Sequence, residues 1–194
     1  MGCPSGGSQV IRRMRHHGYI GVRVALVLGA ALLPCLASSS GPGLVAGSAR
    51  SASLGARQTA AAVLMARSIE SIKALRHSRG LPIDRDLDPN QTGIIGDEFT
   101  PLTTSLGDVE AKRTSANPAF AAVLVTYLSD AGLKPGDVVA VGASGSLPGF
   151  LLATLSAARV LDLEPVVIYS VGASMYGANL PGFTFVDMLA RLRA

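Results

Sequence analysis

Serine hydroxyls set in glycine-rich turns are the residues of this sequence best suited to chemistry. Val-Gly-Ala-Ser occurs twice, at 141–144 and at 171–174, and each copy directly follows a short apolar run. The first copy continues as Gly-Ala-Ser-Gly-Ser over 142–146, where small residues let a ligand approach the backbone. Because Pro148 favours the first turn of a helix, Ser146 is expected to be its N-cap, and free N–H groups there favour a phosphate or carboxylate. A strand-to-helix turn with no ligand needs the same residue types and is the alternative interpretation.

A serine nucleophile is the second chemical interpretation of the first turn. Gly142 and Ser144 after a strand match the first half of a nucleophile elbow, with Ser146 in the place of its second glycine. Such a serine needs a base, which in triads is histidine and in dyads is lysine. The candidate bases are His77, Lys112 and Lys134. The turn matches neither a phosphate-binding P-loop nor a dinucleotide fingerprint, so no cofactor is predicted.

The elements that position these turns form a βαβ unit. Apolar runs predict buried parallel strands near 137–142 and 165–171, and residues 147–161 have the apolar density of a crossover helix. Both turns then leave the carboxyl edge of one sheet, where open α/β sheets bind ligands. The predicted fold class is therefore α/β, with a partial doubly wound sheet.

Charge and composition divide the chain into three parts. Residues 1–83 contain ten Lys or Arg and one acid, whereas residues 84–194 contain seven Lys or Arg and twelve acids. Arginines followed by an uncharged apolar run predict a signal peptide or N-terminal membrane anchor over 1–37, which would leave the rest of the chain outside the cytoplasm. A Ser/Gly-rich linker is predicted over 38–56, and an α/β domain over 57–194. The alternative is that translation starts further along, and that the arginine-rich leader is not part of the protein.

Around the βαβ unit we predict helices over 57–79 and 117–131, and a helix that begins near Phe183. Residues 83–117 have no clear period and many polar side chains, which indicates a long functional loop. Two strands alone leave sheet edges unpaired and part of a core uncovered, so we expect further strands after Ala194 and a domain that is incomplete at its carboxyl end.

Several function classes are disfavoured by composition. Aromatic residues make up 5% of the sequence and Trp is absent, which argues against a stacking platform for nucleic acid. Both cysteines lie in the leader, and no metal site is predicted. Asp84, Asp86 and Asp88 alternate like the opening of a calcium loop but lack its later glycine and glutamate, so we interpret them as turn and capping residues.

Five separate strings resemble the bacterial poly-gamma-glutamate system protein family, in the same order. They are DPNQTGIIG at 88–96, TPLTT at 100–104, EAKRT at 110–114, GASGS at 142–146 and GASMYGANLP at 172–181. The resemblance implies one N-terminal membrane-spanning segment, a longer carboxyl-terminal part, and a role in the synthesis or export of an anionic, capsule-like polymer. It implies other synthase and export components as partners, and it names a pathway rather than a reaction.

The resulting expectation is a membrane-anchored component of the cell envelope that binds an anionic polymer or small anionic ligand at the carboxyl edge of the sheet. The alternatives are a serine hydrolase or transferase acting on amide bonds, with Ser144 as nucleophile, and a structural scaffold for the synthase complex. The predicted ligand-binding residues are Lys112, Arg113, Gly142, Ser144, Gly145, Ser146, Ser174 and Asn179.

Overall fold

The predicted pair of parallel strands is confirmed. The computed structural model describes residues 44–193, with side chains from residue 54. Strands β2 and β3 pair in parallel without interruption, from Val138 opposite Glu164 to Ser144 opposite Ser170. The elements in chain order are α1 Leu44–Ser78, β1 Thr103–Ser105, α2 Val109–Ser115, α3 Ala119–Asp130, β2 Val138–Ser144, α4 Pro148–Val160, β3 Glu164–Ser170, β4 Ala173–Ser174 and α5 Phe185–Arg193.

The described part of the chain is thus mixed α/β, with two small parallel sheets of two strands each, β1–β4 and β2–β3. The second sheet was not predicted. Its strand β1 lies inside the segment 83–117, and three residues are too few to show a period of two. Helix α2 lies in the same segment, where Asp108 caps it by accepting a hydrogen bond from the Ala111 N–H. The prediction of one irregular loop over 83–117 is therefore wrong for its second half.

Helix α1 buries the apolar stripe that its sequence predicts. Met65, Ile69 and Ile72 are at most 5% exposed, and the helix is followed by Gly80 in the left-handed region, at φ +67°. Its start differs from the prediction, because the helix begins at Leu44 and runs through the second part of the expected linker. Alanine and leucine among residues 44–56 are strong helix formers, and they outweigh the serines and glycines there.

The core lies between helices α1, α3 and α4 and one face of the β2–β3 sheet. Val139 is buried in it, and Val141 and Ala143 pack against it from the same face of β2. The opposite face is bare, since Val166 is 56% exposed and Ile168 is 77% exposed. Helices on both faces, as in a complete doubly wound sheet, are therefore not seen among residues 44–193.

Buried polar side chains hold the polar segment after α1. The guanidinium of Arg76 donates to the carbonyls of Pro82, Gly93 and Ile95, and it is 3% exposed. The carboxylate of Asp88 accepts from the Thr92 hydroxyl and the Gly93 N–H, which confirms its role as a turn residue. This segment is packed by specific hydrogen bonds to buried groups.

Among residues 44–193, no helix combines the length and the hydropathy that a membrane crossing requires. The predicted signal or anchor over 1–37 lies outside the described residues.

Candidate functional site

The three serines predicted to bind ligand and Lys112 form a continuous row of hydrogen bonds. The Lys112 Nζ donates to the Ser174 Oγ at 2.8 Å, and the Ser174 N–H donates to the Ser146 Oγ at 2.9 Å. The Ser146 N–H in turn donates to the Ser144 Oγ at 3.3 Å. The structure therefore brings together residues 30 positions apart in the two Val-Gly-Ala-Ser copies, together with a lysine from a third element.

The topology explains this meeting. Strand β2 ends at Ser144, and the chain returns along β3 to the same edge before it enters β4 at Ala173. Strand β4 pairs with β1, whose register places Ala173 opposite Thr103. Helix α2 follows β1 after a short connection, so its Lys112 lies beside β4.

Lys112 is only 5% exposed, and burial lowers the pKa of its ammonium group, while the nearby Asp108 opposes that shift. Its hydrogen-bond partner Ser174 is equally buried. Ser144 and Ser146 are both partly exposed. The row therefore runs from a buried lysine to two hydroxyls within reach of solvent.

The prediction that Ser146 caps the following helix is wrong. The N-cap position of α4 is Leu147, and no side chain caps the helix there. The Ser146 hydroxyl instead accepts the Ser174 N–H, because the second copy lies against the first turn. Pro148 does occupy the first turn of α4, as predicted.

A cleft of about 480 Å³ opens beside the exposed end of this row. One wall is the last part of β2 with Ser146, and the other is the first half of α4 together with its N-cap residue, Leu147. It is lined by Val141, Gly142, Ala143, Ser144, Ser146, Leu147, Phe150, Leu151 and Thr154. No acidic side chain is among these residues.

The two glycines of the first turn have different roles. A Cβ added at Gly142 would meet no atom within 4 Å, so this residue leaves the cleft open. A Cβ at Gly145 would lie 2.8 Å from the Ala173 Cβ and 2.9 Å from the Val171 carbonyl oxygen. Gly145 is thus required for close packing of the two copies.

Two predicted ligand-binding residues lie elsewhere. Arg113 donates to the Leu87 carbonyl at 2.9 Å, also donates to the Asp86 carbonyl, and forms an ion pair with Glu110. Its guanidinium therefore holds the polar segment that precedes β1.

Asn179 is fully buried, and its side chain binds both the N–H and the carbonyl of Asp97 as well as the Thr103 hydroxyl. Its amide holds the loop before β1, and no described contact brings it to the cleft.

Ser144 has no base within hydrogen-bond reach among the described residues. Lys112 contacts Ser174 instead, and Lys134 precedes β2 and so lies at the opposite end of that strand. His77 is exposed in the last turn of α1. Between residues 54 and 193, the one hydroxyl that contacts a candidate base is that of Ser174, which accepts from Lys112.

The wall supplied by α4 was missed at the sequence level. Leu147, Phe150, Leu151 and Thr154 recur at intervals of three and four residues, which places them on one side of a helix. That spacing is a signal that sequence reading can use, but it does not distinguish a cleft wall from a buried core face.

No family model, curated protein or solved structure matches the chain. Between residues 54 and 193, no three His, Cys, Asp or Glu side chains are grouped as a metal site requires.

Proposed function

We propose that the cleft binds carboxylate groups of an anionic ligand, with the Ser144 and Ser146 hydroxyls in contact with the carboxylate. The proposal rests on one observation. Each of the three serine hydroxyls accepts a hydrogen bond from an N–H, and none donates to an acceptor within residues 54–193. Their O–H protons are therefore available, and those of Ser144 and Ser146 lie at the cleft.

Charge supports an anion over a neutral ligand. The ammonium group of Lys112 lies behind Ser174, and the cleft is lined by hydroxyl and apolar groups without a carboxylate. In such partly dry surroundings a positive charge acts over a longer range than in water. Lys112 and Ser174 are positioning residues in this proposal, because both are buried behind the hydroxyls that meet the ligand.

The resemblance to the poly-gamma-glutamate system family supports a ligand class and a place. We propose a membrane-anchored component of a poly-gamma-glutamate synthesis or export system, with the N-terminal segment as anchor and the α/β domain outside the cytoplasm. The bare face of the β2–β3 sheet supports the further proposal that helices or strands cover this face in a larger doubly wound sheet, since parallel sheets are normally buried on both faces.

Calorimetry with a short γ-linked glutamate oligomer on the full chain tests carboxylate binding. Removing both cleft hydroxyls, in the double variant Ser144→Ala and Ser146→Ala, is expected to weaken binding about tenfold or more, because hydrogen bonds to a charged group are worth ~1.5–3 kcal/mol. Ser68→Ala is the matched control, since its hydroxyl lies on α1 and bonds to the Leu64 carbonyl. Equal affinity in the double variant and the control contradicts the proposal.

Fractionation of the native host tests the place. The proposal predicts the chain in the membrane fraction, with the α/β domain open to protease added on the outer side of the cytoplasmic membrane. A native protein found only in the soluble cytosolic fraction contradicts it.

A second candidate function is amide-bond hydrolysis or transfer, with the nucleophile moved from Ser144 to Ser174. The Lys112 Nζ lies 2.8 Å from the Ser174 Oγ, and burial lowers the lysine pKa, which favours a neutral amine that can accept the serine proton. A fluorophosphonate probe separates the two functions. Labelling of Ser174 that is lost in Lys112→Met supports the enzyme, and an unlabelled protein that still binds the oligomer supports binding alone.

A further inference from the structure

The open edge of β2 has a regular row of outward backbone groups. The Glu164 N–H donates to the Asp137 carbonyl, and the Gly145 N–H donates to the Ser170 carbonyl, so odd-numbered residues along β2 face β3. Because N–H and C=O of one residue in a parallel strand point the same way, Ala140, Gly142 and Ser144 face away from β3. Strand β3 is the one strand that pairs with β2 in the described part of the chain.

This edge borders the cleft. Gly142 and Ser144 line the cleft directly, and Leu147 and Phe150 of the opposite wall are 39% and 37% exposed. An extended segment laid between β2 and α4 would pair its backbone with the strand and place alternate side chains against the apolar wall. The missing side chain of Gly142 leaves space for such a segment.

We propose that the cleft binds an extended, α-linked polypeptide segment as an added strand beside β2, parallel to it, with the C-terminal carboxylate of the segment at Ser144 and Ser146. Charge complementarity supports this occupant, because the carboxyl end of the cleft offers two hydroxyl donors in front of the Lys112 ammonium. The proposal deepens the proposed function and rests on it for carboxylate recognition, whereas pairing with the strand is independent of it.

The edge of β3 is less suited to the same pairing. Even-numbered residues of β3 face β2, so Pro165 faces outward, and proline has no N–H to donate. The outward residues of β2 include no proline. The edge of β2 therefore offers a complete row of donors and acceptors beside the cleft, and the edge of β3 does not.

The spacing of these groups favours an α-linked chain. Outward groups on a strand recur every two residues, which is about 6.6 Å. An extended α-linked segment has the same repeat, whereas a γ-linked glutamate unit has five backbone bonds in place of three, so its same-facing amides lie roughly 12 Å apart. A γ-linked oligomer is then bound through its carboxylates, with few bonds to the strand.

Calorimetry with α-linked hexapeptides of alternating glutamate and valine tests the strand. We compare the parent peptide, one form N-methylated at the even positions and one N-methylated at the odd positions. Only the amides that face β2 donate to it, so one methylated form is expected to bind at least tenfold more weakly and the other within about threefold of the parent. A parent peptide that does not bind, or two methylated forms that bind equally, overturns the proposal.

Two further measurements test the carboxylate contact and the pairing with β2 separately. Amidation of the peptide C-terminus is expected to weaken binding about tenfold, and an unchanged affinity refutes the carboxylate contact while the methylation pattern still reports on the strand. Hydrogen exchange of the full chain is expected to slow at Ala140 and Gly142 on peptide binding, with little change at Val139 and Val141. If exchange at Ala140 and Gly142 slows without peptide as the protein concentration rises, the edge of β2 pairs with a second copy of the chain. That result overturns the proposal.

Discussion

The two Val-Gly-Ala-Ser copies have one sequence and opposite environments. In the first, Gly142 has open space around its Cα and Ser144 is partly exposed at the cleft. In the second, a Cβ at Gly172 would lie 2.8 Å from the Thr104 Cγ2, and Ser174 is 5% exposed against Lys112. The difference shows that four identical residues do not define a site, because neighbouring elements decide which copy is reachable.

The two copies differ in the elements that pair with them. The second copy enters β4, which pairs with β1 and packs beside α2. The first copy ends β2, whose outer edge has no strand neighbour within residues 44–193. We infer that the first copy meets ligands and that the second holds it in place.

The largest contrast is expected from removing the serine of each copy. Ser174→Ala is expected to lower the free energy of unfolding by about 1.5–3 kcal/mol, because it removes the hydroxyl that accepts from the buried Lys112. Ser144→Ala is expected to change it by less than about 0.5 kcal/mol, since water reaches this site. Urea unfolding of both variants measures the contrast, and equal losses contradict the assignment of a buried and an open copy.

Replacing the glycine of each copy by alanine is expected to give a smaller difference in stability between the two copies. Gly172→Ala is expected to cost about 1 kcal/mol or more, because the new methyl group would press on Thr104. The methyl group added in Gly142→Ala would meet no atom within 4 Å, so this variant is expected to be as stable as the parent or slightly more stable. The same methyl group narrows the cleft, and it is therefore expected to weaken the binding of the glutamate oligomer. Thermal unfolding and calorimetry on the same two variants measure both effects. Binding that is lost in Gly172→Ala but kept in Gly142→Ala contradicts the assignment of the first copy as the one that meets the ligand.

The smallest effect concerns the pH dependence of stability. Burial lowers the pKa of Lys112 from its ordinary value of 10.5, so the unfolded chain binds this proton more tightly than the folded chain does. Stability is therefore expected to rise with pH between the lowered pKa and 10.5, and this contribution is absent in Lys112→Met. Unfolding free energies of the two proteins, compared across this alkaline range, test the sign. If the unfolding free energies of both proteins change with pH at the same slope, the result contradicts a Lys112 that is buried as an ammonium ion.

Local pattern predicted the elements that have enough length to show a period. The strands β2 and β3, the helix between them and the apolar stripe of α1 follow from apolar runs and from spacings of three and four residues. Strands β1 and β4 have three and two residues, and their pairing joins segments about 70 positions apart. No local pattern reports such a pairing, which is why the second sheet was missed.

The site was predicted in part for the same reason. The meeting of Ser144, Ser146 and Ser174 follows from two parallel strands that end at one edge, and Lys112 was correctly placed near them. Arg113 was misplaced because adjacent residues on a helix point in different directions, so only one of the pair can face β4. The close packing at Gly145 involves residues of the second copy, and the sequence alone does not show that contact.

NMR of the backbone amides of both copies, recorded while a γ-linked glutamate oligomer is added to the full chain, shows directly which copy meets the ligand. Concentration-dependent shifts are expected at Gly142, Ser144 and Ser146, with smaller shifts at Gly172 and Ala173, because the ligand meets the first copy and reaches the second only through hydrogen bonds. Larger shifts at the second copy than at the first, or no shifts at either, contradict the claim that the first copy is the ligand-facing one.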